Sequence, residues 1–124
     1  LAMKAKTIQI KSADSVLKDF ANTYNALTQG KPVKKKVGTY FASIQAVRNV
    51  LTENRIQLLK TIKQYPPGSL YALAKITHRN FKNISDDVAF LHELGLVQLG
   101  KPHGSRSQRK PTLLSDHIYL EIAI

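Results

Sequence analysis

Cysteine is absent from the 124 residues, which excludes disulfides and thiolate metal sites. That absence suits a reducing cytosol, and a cytoplasmic protein is the expectation. Acidic residues are scarce. Eight Asp and Glu stand against 19 Lys and Arg, for a net charge of +11 and an isoelectric point near 10.0. No apolar run approaches the roughly 20 residues of a membrane span, so no membrane partner is expected. No secretory leader pattern and no internal repeat is found, and Leu1-Ala2 before Met3 reads as a cloning scar left out of the fold. The four histidines (His78, His92, His103 and His117) show no metal-ligand spacing. Ser, His and Asp occur without a nucleophile elbow or a glycine-rich phosphate loop. The expectation is therefore a protein with no cofactor and no metal, and not an enzyme.

What is present points elsewhere. An apolar fraction of 43% is enough for one small core. The positive charge suits a polyanion partner better than a merely solvated basic surface. It is unevenly placed. Lys4, Lys6, Lys11, Lys18, Lys31, Lys34, Lys35 and Lys36 crowd the first 36 residues, and Lys101, Arg106, Arg109 and Lys110 form a second basic segment. Between them charge is nearly balanced.

The most informative stretch is Pro66 to Gly95. Ser69 can cap a helix just after the breakers Pro66, Pro67 and Gly68. Leu70, Leu73 and Ala74 then recur at helical spacing. The pattern lapses over Thr77 to Asn80 and resumes as Phe81, Ile84, Val88, Leu91 and Leu94, a second amphipathic helix. Gly95 suits the left-handed residue that closes it. The opposite face reads as Asn80, Lys82, Asn83, Ser85 and Asp86, side chains able to bond base edges or phosphates. Helix, turn and polar-faced helix make the helix-turn-helix plan, whose second helix enters the major groove.

In chain order, Thr7 to Ile10 is a strand candidate, and Ser12 can cap a helix with Asp14 in its first turn. The apolar stripe of that helix is Val16, Leu17, Phe20, Tyr24 and Leu27. It is broad for so short a chain, so the helix must dock in its own subunit or in a partner. KPVKKK, residues 31–36, reads as a solvated connector. Val37 to Ala42 is a short strand with Tyr40 and Phe41 on opposite faces, and Ser43 can cap a brief helix through Val50. Thr52 caps a helix from Glu53 to Tyr65 that buries Ile56, Leu59 and Ile62. Leu51 and Ile56 stand where a hydrophobic staple needs them, and Pro66-Pro67 ends the helix. After Gly95, Leu96 to Leu99 alternates as a strand, residues 101–110 hold no large apolar side chain, and Thr112 to Leu114 can return. Ile118, Leu120, Ile122 and Ile124 share one face of a last strand. It must pair with Thr7 to Ile10 or with the same strand of another subunit.

On these residues the chain resembles winged-helix regulators of the MarR-like kind, and more closely a family of small prokaryotic DNA-binding proteins that includes antitoxin-like members. The resemblance covers Phe41 to the C-terminus. It rests on Phe41-Ala42-Ser43, Leu51 to Arg55 with Leu58-Leu59, and Leu70 with Leu73-Ala74. It continues through Arg79 to Ile84, Asp87-Val88, Leu91, Leu94 to Val97, Pro111 and Asp116. Ser115 departs from it, since the family tends to have tyrosine there. The resemblance implies a recognition helix starting around Phe81 to Asn83, DNA binding and transcriptional control. More weakly, it implies an antitoxin that binds a protein toxin.

The expected architecture is mainly α with a small β wing (α+β), a winged helix-turn-helix with an added N-terminal helix and terminal strands. Residues 1–36 would serve dimerisation or partner contact, and residues 37–124 would bind DNA. Expected partners are double-stranded DNA and a second copy of the chain. Lys82 and Asn83 are the base-reading candidates, with lysine suited to guanine and asparagine to adenine. Arg79 and His78, at the turn, suit phosphate. Asp86 is expected to orient Lys82, Asp87 to pair with Arg55, and Phe90 to lie in the core. Lys101, Arg106, Arg109 and Lys110 suit a wing on the backbone or minor groove. Ser69, Asn80 and Ser85 complete the candidate contact set.

Overall fold

The computed structural model describes residues 4–11, 13–30, 39–101 and 108–124, and all their side chains except those of Lys4, Ala13, Val16, Asp19, Thr23, Ala26 and Leu27. The order of elements is β1 (Lys4–Ile10), α1 (Ala13–Thr28), β2 (Thr39–Phe41), α2 (Ile44–Val50), α3 (Glu53–Gln64), α4 (Leu70–Thr77), α5 (Phe81–Glu93), β3 (Val97–Leu99), β4 (Pro111–Leu113) and β5 (Ser115–Ile122). Mixed α and β structure agrees with the expected class. By contacts the chain divides into two compact units, residues 1–6 with 49–118, and residues 7–48 with 119–124. The expected break after residue 36 lies outside the described residues, as do the Ser12 cap and the KPVKKK connector.

In the first unit, α3 packs on α4, α5 and β4. Its helices start where side chains satisfy orphaned backbone donors: Thr52 accepts from the Arg55 amide at 3.3 Å, and Ser69 from the Ala72 amide at 3.0 Å. The core is Leu58, Leu59, Ile62, Leu70, Leu73, Ala74, Ile84, Val88, Leu91, Leu94, Leu96, Val97 and Leu113. Ile56, expected inside, is half-buried, and Leu58 takes the inner position. Gly95 closes α5 at φ 75°, and the Leu96 amide donates to the Leu91 carbonyl at 3.0 Å. The strands β3 and β4 pair antiparallel, Val97 opposite Leu113 and Leu99 opposite Pro111. His92 Nδ1 donates to the Val97 carbonyl at 3.0 Å, tying the end of α5 to that hairpin.

In the second unit β1 is central in a sheet ordered β2-β1-β5. It runs parallel to β2, with Ile8 opposite Thr39 and Ile10 opposite Phe41. Ile8, Ile10 and Val47 are its buried apolar residues, and Ser43 accepts from the Ala46 amide at 3.1 Å to start α2. One expectation needs correction: the last strand begins at Ser115, three residues before Ile118, directly after a bend at Leu114. It pairs with β1, one of its two expected partners, and along it Leu120 and Ile122 are each 50% exposed. The stripe of α1 likewise stays in solvent at Leu17, Phe20 and Tyr24.

The packing of α4 is directly testable. Leu73 is 0% exposed while Tyr71, on the other side of the helix, is 53% exposed. Leu73→Ala is expected to cost about 2–5 kcal/mol, and Tyr71→Ala about 0.5 kcal/mol or less. Urea unfolding of both variants measures this, and equal losses would mean that α4 does not pack by its Leu73 face.

Candidate nucleic-acid interface

His78, Arg79 and Asn80 separate α4 from α5. The reversal needs a left-handed residue, and His78 takes that conformation at φ 55°, ψ 36°. A non-glycine residue there costs on the order of 1 kcal/mol. The Arg79 amide donates to the Ala74 carbonyl at 3.1 Å, closing α4, and Thr77 Oγ1 donates back to the Leu73 carbonyl at 2.9 Å. Asn80 Oδ1 then accepts from the Lys82 amide at 2.8 Å and starts α5. The turn is thus specified by local hydrogen bonds on both sides, and it delivers Lys82 and Asn83 to the first turn of α5 with both side chains exposed.

Asp87 fixes this arrangement to the rest of the unit. Its Oδ2 accepts from Arg79 Nη2 at 2.7 Å, and its Oδ1 from Arg55 Nε at 3.1 Å. Arg55 also donates from Nη1 to the Val50 carbonyl at 2.7 Å, and its guanidinium lies 4.0 Å from the centre of the Phe90 ring. The expected Arg55–Asp87 pair is present. Arg79, expected to reach for phosphate, is drawn instead into the same carboxylate.

The structure sorts the other candidates. Lys82, Asn83 and Asp86 are exposed along one side of α5. Ser85 is only 7% exposed; it sits between Ile84 and Val88 on the apolar face, so it must be removed from the contact set. Asn80 and Ser69 use their side-chain oxygens as helix caps. No Lys82–Asp86 ion pair forms among the described residues, so Asp86 does not orient Lys82. His78 is exposed at the turn. Phe90, expected in the core, is 46% exposed, one helical turn beyond Asp86 with Arg55 across its ring. Its departure from the apolar stripe was the sequence signal for that position.

In the hairpin, Lys101 and Lys110 are exposed, and Arg106 lies outside the described residues. Arg109 has a bracing role that its sequence context does not reveal. Its Nε donates to the Gly100 carbonyl at 2.9 Å across the base of the hairpin, and its own carbonyl accepts from the Leu70 amide, also at 2.9 Å, at the start of α4. The hairpin base and the helix pair are therefore held together through one residue. Away from this surface, Asp116 accepts from His117 Nδ1 at 2.8 Å, which holds its carboxyl below the ordinary aspartate value.

These described residues define a mixed α/β protein whose longest helices after α1 are α3 and α5, with a two-stranded hairpin beside them. The chain belongs to the HVO_A0114 family, whose sequence model matches residues 50–120, from the end of α2 to within β5. No curated protein matches the chain.

The two arginines should behave as one unit through Asp87. Asp87→Ala leaves both guanidinium groups without their carboxylate, and a loss of about 1.5–3 kcal/mol is expected, the usual range for a hydrogen bond to a charged group. In a double-mutant cycle with Arg55→Ala the coupling should exceed about 0.5 kcal/mol. Strictly additive losses would mean that the bridge contributes nothing to the fold.

Proposed function

We propose that this chain is a winged helix-turn-helix protein of the cytoplasm that binds double-stranded DNA as a transcriptional regulator. In this reading the start of α5 enters the major groove and the β3–β4 hairpin lies along the backbone. The observation that carries it is the pair Lys82 and Asn83, both exposed on the first turn of a helix whose start is set by the Asn80 cap and the left-handed His78. Base-reading residues of helix-turn-helix proteins occupy that part of the second helix. The exposed Lys101 and Lys110 at the hairpin supply cations for phosphates, and the net +11 supplies long-range attraction. The role is one of binding, with no catalytic step and no cofactor. A second reading, an antitoxin that captures a protein toxin, draws on the uncovered apolar stripe of α1. Co-purification with the product of a neighbouring gene would favour it.

Duplexes selected from a random pool provide the test. Affinity should fall with salt at a log–log slope near −0.9 per phosphate neutralised. Absence of binding at low salt, or a flat titration, overturns the proposal. Asn83→Ala should cost about 1–3 kcal/mol on the selected duplex and little on a scrambled one. Lys110→Ala should weaken both alike and flatten the salt slope. Lys110 is preferred here to Arg109, whose removal also takes away the Gly100 contact. Anisotropy titrations of both variants on both duplexes would refute the division of labour if Asn83→Ala lost affinity equally on each.

A further inference from the structure

We infer that Asp86 is a specificity-determining residue, the acceptor that selects a cytosine in the bound duplex by taking a hydrogen bond from its N4 amine. The inference rests on the DNA-binding reading and deepens it, from a duplex to a duplex with a defined base at one position. Asp86 is the sixth residue of α5. It follows Lys82 by four positions and Asn83 by three, so the three side chains share one side of the helix. All three are exposed. They occupy the first two turns, the part of a second helix that reaches base edges.

The fold makes no use of this carboxylate. It has no ion-pair or hydrogen-bond partner among the described residues. The arginines that reach α5 go to its neighbour instead: Arg55 Nε donates to Asp87 Oδ1 at 3.1 Å, and Arg79 Nη2 to Asp87 Oδ2 at 2.7 Å. Nor does Asp86 serve the helix. A carboxylate favours a helix from its first turn, and Asp86 lies in the second. Inside a helix aspartate is a weaker former than alanine. The two adjacent aspartates are thus divided, Asp87 holding the fold and Asp86 facing outward.

The chemistry of the groove selects what Asp86 meets. An exposed carboxylate on a surface that meets phosphate weakens binding to every duplex alike, unless a base donates to it. The major groove offers two exocyclic donors, cytosine N4 and adenine N6. Adenine N6 stands beside N7, an acceptor that repels a carboxylate and suits the amide of Asn83. Cytosine N4 has only the C5–H beside it. Guanine presents O6 and N7, and thymine presents O4; each sets an acceptor against the charge. Asp86 therefore discriminates twice, by its bond with cytosine and by repulsion from the other bases. Lys82, one turn earlier, complements it. Lysine suits guanine, and a C·G pair shows the N4 donor next to the O6 and N7 acceptors.

Selection of bound duplexes from a random pool, run in parallel with the wild type, Asp86→Ala and Asp86→Asn, tests the assignment. The wild-type pool should fix cytosine at one position, with about tenfold weaker binding for another base there. Asp86→Ala should lose that preference alone and keep the others. It should also bind a scrambled duplex more tightly, because one charge that repels phosphate is gone. Asp86→Asn carries an amide that pairs with adenine N6 and N7, and should move the preference at that position from cytosine to adenine. The urea midpoint of both variants should match or exceed that of the wild type, a result that a structural role would not give. The inference is overturned if Asp86→Ala keeps the cytosine preference, if it loses affinity to the same degree on selected and scrambled duplexes, or if its urea midpoint falls markedly. Each of those results leaves the DNA-binding reading standing. A wild type that binds no duplex overturns that reading and this inference with it, so the two failures are told apart by the wild type alone.

Discussion

One carboxylate holds the helix pair in place. Asp87 accepts from Arg79 at the turn and from Arg55 on α3, and both its own side chain and that of Arg55 are largely withdrawn from solvent. A half-buried acid is costly to desolvate unless it is paired and hydrogen-bonded. Here each oxygen has an arginine donor, and Arg55 has further partners in the Val50 carbonyl and the Phe90 ring. The orientation of α5 against α3 and the entry of the turn into α5 are set by the same three side chains. Lys82 and Asn83 owe their direction to that arrangement, although neither touches it.

The hairpin is coupled to the helices in a comparable way. The carbonyl of Arg109 meets the start of α4 while its guanidinium spans the hairpin base. A basic residue in a loop is usually taken for an anion contact. This one spends a donor on the fold, which leaves the exposed Lys101 and Lys110 as the cations offered outward. Arg79 follows the same logic. Of the basic and polar residues near the turn, those with half-buried acceptors in reach are absorbed into the structure. Those without such acceptors stand in solvent.

Local signals in the chain marked much of the framework. Thr52 and Ser69 as caps, Pro66-Pro67 as a stop and Gly95 as a left-handed close each act within a few residues, so their effect can be read without knowing what packs nearby. His78 escaped the same reading, because the left-handed conformation is normally signalled by glycine. Ser85 was misplaced because it is polar, although its position between Ile84 and Val88 puts it on the inner face of α5. Phe90 was misplaced because it is aromatic, while its outward position is made tolerable by Arg55, 35 residues earlier in the numbering.

The amino-acid sequence by itself determined the helices α3, α4 and α5, the hairpin that follows them and the excess of positive charge, since periodicity, caps and composition are local or additive properties. Only the tertiary structure decided which polar groups are used up and which are offered. Arg55 and Asp87 are separated by 32 residues and Arg109 and Gly100 by nine, and no periodicity links such pairs. The same holds for α1 and β5. Their apolar patterns announce that something must cover them, and only the fold reveals that, among the described residues, little of this chain does. Burial is a property of what stands opposite a side chain, and that is fixed by the packing of distant segments.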